Sequence, residues 1–353
     1  MARTHGETQK SMIKKVFAYT TGGEEVKMSI QEIKISIQKW NEINVCELAQ
    51  LAIAAWQPKG STLTVERLIN WLHNLEFKFP PIVFLAHSED NLIGWLLFYI
   101  KSSTEAEINP WALNGHPIVS PDKKEEEIAA KLIEQATNFA KKEGLTRVEV
   151  SYYAEETEHA NQKYKAFYES HGMSLIEENV HMRLELSRKE LESEVGLPPG
   201  SEIKPITDVH EEELFQCFYQ TFRDSEDRWL SDKSDDEIRD YFNEVICESP
   251  FPLIEDASIA LFKDDQIIAF TVCRRSHGEN NGQLWVMGVH PGYRRKGIGK
   301  SLILFIKKKL IEKGVKTMSL NVDLANKSAY QLYQKQGFKP EWCKINYAWK
   351  AND

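Results

Sequence analysis

Apolar and polar positions along this chain form two successive series of elements that follow the same order. Apolar residues every three or four positions predict helices, and two runs of strand-forming residues around a short polar break predict a hairpin. In the first series these are helices at 45–56 and 65–75 and strands at 82–86 and 92–100. In the second they are helices at 211–222 and 237–245 and strands at 257–262 and 266–274, followed by a strand at 284–289, a helix to about 313, a strand at 317–322 and a helix at 327–335.

Individual residues repeat as well as elements. Val119, Pro121, Ile128, Leu132 and Gly144 recur 170 positions later as Val289, Pro291, Ile298, Leu302 and Gly314. Asn161, Tyr168 and Gly172 recur 165 positions later as Asn326, Tyr333 and Gly337, so five extra residues fall in the first half, near 154–158. A repeat of this length predicts two copies of one domain.

The domain boundaries follow from where the periodicity stops. Residues 1–25 are polar and predict a loosely docked tail, and 26–188 hold the first copy. Residues 189–201 carry Gly196, Pro198, Pro199 and Gly200 and predict a linker, after which 202–353 hold the second copy. A chain of 353 residues also exceeds the usual size of a single core.

Charge and cysteine content narrow the classes of function. A formal net charge of −9 argues against general affinity for nucleic acids or anionic membranes. The five cysteines are scattered without metal-ligand spacing, which fits a reducing compartment and predicts no metal site. No apolar run reaches membrane-spanning length and the polar start is no secretory signal, so we expect a cytoplasmic protein.

A local basic turn stands out against this acidic background. The apolar run 284–289 ends before Pro291, a turn rich in arginine, lysine and glycine follows, and an amphipathic segment begins at once. A strand, a glycine-bearing basic turn and a helix start together form an anion site, because free backbone N–H groups and the helix dipole face the ligand. The stretch predicts phosphate binding.

These residues resemble the GNAT family of acyltransferases, which use acetyl-CoA. The second half carries the family's Arg/Gln-x-x-Gly-x-Gly/Ala loop as Arg294-Arg295-Lys296-Gly297-Ile298-Gly299. It also carries a later signature from Asn326 through Tyr333 to Gly337-Phe338. The resemblance implies an α/β (α+β) fold in tandem, each copy with a mixed central sheet, helices on both faces, and a sheet that splays open after its fourth strand.

The resemblance also implies where acetyl-CoA binds. The backbone at 287–289 would pair with the pantetheine arm, and the N–H groups at 295–300 would hold the pyrophosphate. Arg294 or Lys296 taken singly could instead be a solvated cation, and Asn326 could hold the cofactor arm or cap the following helix. The implied cofactor-binding residues are Met287, Gly288, Val289, Arg294, Arg295, Lys296, Gly297, Ile298, Gly299, Lys300, Asn326 and Tyr333.

Acyl transfer needs an acid for the leaving thiolate, donors for the oxyanion and a base for the amine. The family signature makes Tyr333 the expected general acid, although its spacing alone fits a core tyrosine packed on Phe338. A backbone N–H near Val289 would meet the oxyanion. The base is left open. Asp323 and His290 are the nearby titratable candidates, and each could instead be a turn residue, while the positions of the relatives' glutamates hold Gln283, Ser319 and Asn321. Glu226 and Asp227 could line the acceptor pocket, and a water relay is a further alternative.

The first copy departs from the family where the phosphate should bind. In register with the loop it has Lys124-Glu125-Glu126-Glu127-Ile128-Ala129, so a glutamate replaces Gly297. Three carboxylates repel a pyrophosphate at short range. We therefore predict that this copy does not bind acetyl-CoA productively and that it buttresses the second.

The sequence thus predicts an acetyl-CoA-dependent N-acetyltransferase for a primary amine of a small molecule or peptide. A CoA-binding sensor without catalysis is the alternative, and a purely structural tandem protein is a third. No nucleic acid or membrane partner is expected. The chain is predicted to be a monomer, with the tandem as an internal pseudo-dimer, or a homodimer.

Overall fold

The computed structural model describes residues 33–56, 62–75, 80–109, 115–121, 124–155, 158–223, 225–226, 233–275 and 280–351, with the backbone alone described at 155 and 158–163. The predicted tail 1–25 and Asp227 lie outside these residues. No helix among those described is long and apolar enough to cross a membrane.

The elements of the first half follow the predicted order. Leu48, Ala52 and Ile53 form the buried side of the first helix, and Leu68 and Leu72 that of the second, which Thr64 caps by accepting from Arg67 N–H. The elements are β1 (Ile33–Lys39), α1 (Val45–Trp56), α2 (Val65–His73), β2 (Ile82–Ser88), β3 (Asn91–Ile100), β4 (Glu105–Ile108), β5 (Ile118–Val119), α3 (Glu125–Lys142), β6 (Arg147–Glu155), α4 (Glu158–Ser170) and β7 (Ser174–Glu185).

The second half repeats this order. Ser234 and Glu237 form a capping box at the start of its second helix, which ends earlier than predicted and passes into a π-helical turn at Asn243–Cys247. The elements are β8 (Glu202–Pro205), α5 (Glu211–Arg223), α6 (Asp235–Phe242), β9 (Ile259–Lys263), β10 (Gln266–Arg275), β11 (Asn281–Val289), α7 (Ile298–Glu312), β12 (Thr317–Asp323), α8 (Lys327–Lys335) and β13 (Lys339–Lys350).

The chain packs as two units whose division differs from the order along the sequence. Unit 1 comprises residues 1–176 and 345–353, and unit 2 comprises 177–344. Most of β7 therefore belongs to unit 2 although the first half encodes it, and the end of β13 belongs to unit 1. The predicted boundary at 189–201 describes where the duplication ends, and it stays a prediction.

Unit 2 is a mixed sheet with the strand order β7-β12-β11-β10-β9-β8. β12 runs antiparallel to β7 and parallel to β11, and the remaining pairs are antiparallel. Helices cover both faces. Phe218 of α5 and Phe242 of α6 pack on Phe270 and Val286 on one face, and Ile298 and Leu302 of α7 pack with Ile268 and Leu261 on the other.

Unit 1 has the strand order β1-β2-β3-β4-β6-β13, with the two-residue β5 also pairing with β3. The end of β13 is fixed by Ala351 N–H, which donates to Thr146 O at 2.9 Å. Tyr347 stacks on Tyr152 and Tyr168 with ring centroids 6.3 and 5.4 Å away. Unit 1 thus completes its core with aromatic residues from the end of the chain.

Part of the predicted linker is docked on α7 of unit 2. The Lys307 ammonium is nearly buried and lies 2.8 Å from Glu190 Oε1 and 2.8 Å from Gln336 O. Ser301 Oγ donates to Gly196 O at 2.7 Å. A buried cation needs such partners, so this segment is a packed part of unit 2.

Candidate active site

β11 and β12 part from each other half-way along their length. They pair only from Asn281 with Thr317 to Leu284 with Leu320. Beyond that point β11 continues with β10 as its partner, and β12 continues with β7. Among the described residues, nothing pairs with the edge of 285–289 that faces the gap, and this is the opening that the family resemblance implies.

A β-bulge at Trp285 turns β11 at the start of the gap. Val286 is opposite Val272 and Leu284 is opposite Cys273, so Trp285 is the extra residue. A bulge bends its strand and increases the local twist. It therefore helps to carry the second half of β11 away from β12.

The register of β11 on β10 shows which backbone groups face the gap. His290 N–H donates to Ile268 O at 2.9 Å, and hydrogen-bonded and non-hydrogen-bonded pairs alternate along an antiparallel ladder. Met287 and Val289 consequently direct their backbone groups away from β10. The Val289 carbonyl already accepts from Arg294 Nε at 3.1 Å, which leaves the Val289 N–H and both groups of Met287.

Gly288 has no room for a side chain because of the core beneath it. A Cβ at this position would overlap Phe270 Cε1 and would lie 3.0 Å from Thr221 Cγ2. Phe270 is fully buried and cannot move aside. The glycine lets β11 lie close against α5.

We expect Gly288→Ala to lower the free energy of unfolding by about 1–3 kcal/mol, because the methyl group overpacks the core at Phe270. Urea denaturation measures the change. Gly196→Ala is the matched control, since a Cβ there meets no described residue within 4 Å and its backbone is not left-handed. A Gly288→Ala protein as stable as the Gly196→Ala protein would contradict this account of β11.

The Arg294 side chain is hydrogen-bonded to backbone carbonyl groups of the protein. Its guanidinium donates to Val289 O and, at 2.6 Å, to Thr221 O in the last turn of α5. The carbonyls at the end of a helix lack intrahelical donors, and a cation there is favourable. Arg294 thus ties the end of β11 to α5, and direct binding of phosphate by this side chain stays a prediction. Sequence reasoning missed Thr221, because no local pattern shows a contact across 73 residues.

The loop that follows presents backbone N–H groups. Arg295 and Gly297 both have left-handed backbones, with φ of 60° and 82°, and Gly297 is the N-cap of α7. No side chain caps the helix and no acidic residue lies in its first turn. Ile298, Gly299 and Lys300 therefore present N–H groups that have no acceptor within the part of the chain that the structure describes.

The two loop glycines have different reasons for lacking a side chain. A Cβ on Gly297 would meet nothing within 4 Å in the described part of the chain, so its positive φ is what demands glycine. A Cβ on Gly299 would lie 3.1 Å from Leu332 Cδ2, so Gly299 allows α7 to approach α8.

The remaining loop cations differ in how they are held. Lys296 Nζ donates to Gly292 O at 3.0 Å and lies 4.9 Å from the centroid of the Tyr293 ring. Arg295 and Lys300 are exposed and have no partner among the described residues. The charges of Arg295 and Lys300 are therefore available to a ligand.

Tyr333 and Asn326 lie on α8. The Tyr333 side chain is buried edge-on against Phe338, 5.8 Å between centroids, yet its hydroxyl makes no hydrogen bond within the described residues. Burial raises the pKa of the Tyr333 phenol, so it keeps its proton throughout the neutral range. Asn326 Oδ1 accepts from Ala329 N–H at 3.1 Å and caps α8, which realises one of its two predicted roles.

The predicted base candidates are both engaged in turns. His290 Nδ1 accepts from Gly292 N–H at 3.2 Å, and its Nε2 lies 2.8 Å from Gln220 Oε1. Asp323 is buried and accepts from Ala325 N–H at 2.8 Å. Taking up a proton at His290 Nδ1 would break its hydrogen bond with Gly292 N–H. A base role for either His290 or Asp323 stays a prediction. Glu226 is exposed.

A row of polar side chains lies on the sheet face turned away from α7. Asn281 Nδ2 donates to Ser319 Oγ at 3.0 Å, and Asn321, two residues further on, lies 2.9 Å from His181 Nδ1. Gly282, the neighbour of Asn281 in β11, faces Leu310 of α7. Because side chains alternate along a strand, the polar row lies on the opposite face of the sheet. His181 comes from β7, and the alternation of polar 181, 183 and 185 with apolar 182, 184 and 186 was the sequence signal for its face.

The equivalent helix start in unit 1 is already neutralised. Glu125, Glu126 and Glu127 occupy the first turn of α3. Glu127 lies 2.9 Å from Lys131 Nζ and 3.4 Å from Lys124 Nζ, and these lysines hold the pKa of its carboxyl below the usual range. The chain thus supplies its own anions where the loop of unit 2 has none.

The fourth strand of unit 1 is interrupted by an insertion. Glu105 pairs with Arg147 as Asn281 pairs with Thr317, but Glu105 and Asn281 are 176 positions apart, six more than Val119 and Val289. Six extra residues therefore lie between β4 and β5. Gly115, at their end, is so close to β6 that a Cβ would overlap Ser151 O.

His116 of this insertion occupies the core beside the tyrosine equivalent to Tyr333. It is buried, its ring packs on Tyr164 and Phe167, and its Nδ1 lies 3.2 Å from Tyr168 Oη. In unit 1 the tyrosine hydroxyl therefore has an internal partner. Sequence reasoning missed His116, although counting residues between the hairpin and Val119 would have shown the insertion.

A family model confirms the duplication. The model described as "Acetyltransferase (GNAT) family" matches residues 45–173 and again residues 207–338, together more than half of the chain. The chain belongs to the GNAT acetyltransferase family. The fold agrees, since a GNAT protein from Sphaerobacter thermophilus superimposes with a TM-score of 0.58 at 13% identity over 90% of this chain and 95% of that one.

Two further likenesses concern the tandem GNAT arrangement. A tandem GNAT protein from the clavulanic acid biosynthesis pathway gives a TM-score of 0.52 at 15% identity, over 90% of this chain and 99% of that one. The layout is also similar to that of mycothiol synthase, and a mycothiol acetyltransferase of Streptomyces scabiei is 32% identical over 77 residues, 22% of this chain and 25% of that protein. The chain thus spans about a quarter of the length of that curated relative, so its acceptor does not follow from the match.

Proposed function

We propose that this GNAT protein is an acetyl-CoA-dependent N-acetyltransferase that acts on a primary amine at a site in unit 2. The observation that carries the proposal is the parting of β11 and β12 after Leu284 and Leu320, beside the uncapped N-terminus of α7. An edge of unpaired backbone and a cluster of free N–H groups suit a ligand with an amide-bearing arm and a pyrophosphate.

The residues around the gap fit acetyl-CoA. Met287 and Val289 offer backbone groups to the pantetheine amides, with Gly288 between them keeping β11 close to its core. The N–H groups from Arg295 to Lys300, with the free charges of Arg295 and Lys300, would hold the pyrophosphate, while Arg294 and Lys296 shape the loop. Asn326 caps α8 through Oδ1, and its amide Nδ2 is available to the arm.

Acetyl-CoA supplies a thioester carbonyl that an uncharged amine can attack. Tyr333 is the proposed general acid. Its hydroxyl has no protein partner among the described residues, and its raised pKa keeps the phenol protonated until the thiolate leaves and takes the proton. The Val289 N–H, which points into the gap, is the proposed donor to the oxyanion. Asp323 and His290 stay the predicted candidates for the base, and both already accept hydrogen bonds from turn N–H groups.

Unit 1 is proposed not to bind acetyl-CoA. Glu127 with its two lysines fills the helix start, and the insertion before β5 places Gly115 against β6 and His116 on Tyr168. Phosphate repulsion and a filled interior both oppose binding.

Incubation with acetyl-CoA and a panel of polyamines, aminoglycosides, amino acids and peptide N-termini, with free thiol measured, tests the enzyme. We expect thiol release that depends on one class of amine. Binding of CoA by calorimetry without turnover of any amine would favour the sensor, and no binding of CoA would favour the structural role. Both the enzyme and the sensor are compatible with a monomer or a homodimer.

A further inference from the structure

We propose that His181 is the proton acceptor for the amine in unit 2, an inference that rests on the proposed acetyl transfer. His181 lies on β7, which the first copy of the duplication encodes but which pairs with β12 in unit 2. The duplication would therefore have divided the active site between two parts of the sequence.

The position of His181 follows from the sheet. It is the cross-strand partner of Asn321, the first residue of β12 beyond the last pair with β11. A linear ligand with its pyrophosphate at α7 that passes through the gap delivers its far end to the opposite face. Asn321 and His181 lie on that face, so the ring is one strand away from the opening and within reach of an amine there, directly or through one water molecule.

The hydrogen bond to Asn321 assigns the tautomer of the neutral ring. Asn321 Oδ1 can only accept, so His181 Nδ1, 2.9 Å away, carries the proton. Nε2 then has a lone pair to which no donor in the described part of the chain is bonded. A base with an oriented ring and an unoccupied acceptor atom is the arrangement that proton abstraction requires, and it contrasts with His290, whose two nitrogens are both bonded.

Two neighbouring side chains hold the ring of His181 in place. Trp342 stacks on His181 with centroids 4.5 Å apart and planes 5° from parallel. Glu341 Oε2 lies 3.8 Å from Nε2, and Glu341 is also 3.9 Å from Arg183 Nε. The indole holds the plane of the ring, and the partly exposed carboxylate of Glu341 would attract the ammonium form of the acceptor.

The proton balance of the step is complete. As the amine nitrogen forms the bond to the acyl carbon, its proton passes to His181 Nε2, and the electron pair of the C–S bond leaves with sulfur, which takes the proton of Tyr333 Oη. The imidazolium and the phenolate return to their starting states by exchange with solvent.

Kinetics of His181→Gln test the assignment. We expect kcat to fall about 100-fold or more, the range for loss of a general base, while the affinity for CoA in calorimetry stays within roughly threefold. Free imidazole should partly restore turnover of His181→Ala. His210→Gln is the matched control, because His210 is exposed in the same unit and only caps α5 through Glu212 N–H.

A second measurement does not need turnover or a folded variant. Nitrogen-15 spectra of the wild-type histidines should show His181 as the Nδ1–H tautomer, and an Nε2–H tautomer would overturn the inference. An active wild type with an unimpaired His181→Gln variant would overturn it as well and leave the proposed transfer standing. A wild type that binds CoA and acetylates no amine would remove both.

Discussion

Gly297→Glu, which copies Glu127 of unit 1, is expected to abolish measurable binding of acetyl-CoA. The side chain would enter the space beyond Gly297, where a Cβ meets nothing within 4 Å among the described residues and where the pyrophosphate is proposed to bind. A carboxylate about 4 Å from a phosphate charge opposes binding by about 4 kcal/mol at an effective dielectric constant of 20. Since about 1.4 kcal/mol is a factor of ten, the affinity should fall by at least 100-fold. Calorimetry with acetyl-CoA measures it.

Two further variants separate the effect of the added charge on acetyl-CoA binding from the effects of backbone strain and of the different fold of unit 1. Gly297→Ala imposes the same left-handed φ of 82° on a residue with a Cβ, at about 1–2 kcal/mol, without adding charge. It should bind acetyl-CoA nearly as the wild type does, with a lower unfolding midpoint. Glu127→Gly in unit 1 should not create a second binding event, because the insertion with Gly115 and His116 remains. An unchanged affinity in folded Gly297→Glu would refute the assignment of the anion site.

The local part of the site could be predicted from sequence because its signals are local. Glycine and cations between a strand and a helix specify a turn whose N–H groups are free, and the structure has that turn at 294–299 with α7 starting at Ile298. The two copies also share their helix ends, since Gly144 and Gly314 have φ of 74° and 76°. The duplication is read by comparing residues, and the family match over both halves confirms it.

Contacts between distant segments could not be predicted in this way. Arg294 looks like one more phosphate cation until Thr221 O is found 2.6 Å away. The bulge at Trp285 depends on the register of β11 on β10, which periodicity does not specify. His181 stands in the first copy of the sequence, and only the pairing of β7 with β12 brings it beside Asn321. In each case, a contact between segments that are distant in the sequence decides which polar groups are free to bind a ligand and which are already hydrogen-bonded.

The same reasoning distinguishes the two equivalent tyrosines, and it leads to the second prediction with a large effect. Tyr333→Phe should lower kcat about 100-fold, within the usual range for loss of a general acid, with KM for acetyl-CoA changed by less than about threefold. Its free energy of unfolding should hardly change, because Tyr333 Oη donates to no described protein atom and the ring contact with Phe338 is kept. Steady-state kinetics and urea denaturation of the same preparation measure both.

Tyr168→Phe is the matched control and should show the opposite combination. Its hydroxyl is buried and lies 3.2 Å from His116 Nδ1, so losing it should destabilise the protein by about 1 kcal/mol. Turnover should stay at the wild-type level, because unit 1 is proposed to bind no acetyl-CoA. A loss of activity in Tyr168→Phe would place chemistry in unit 1, and full activity in Tyr333→Phe would show that the leaving thiolate needs no acid from α8. Opposite responses of two tyrosines that the duplication made equivalent would locate acetyl transfer in unit 2.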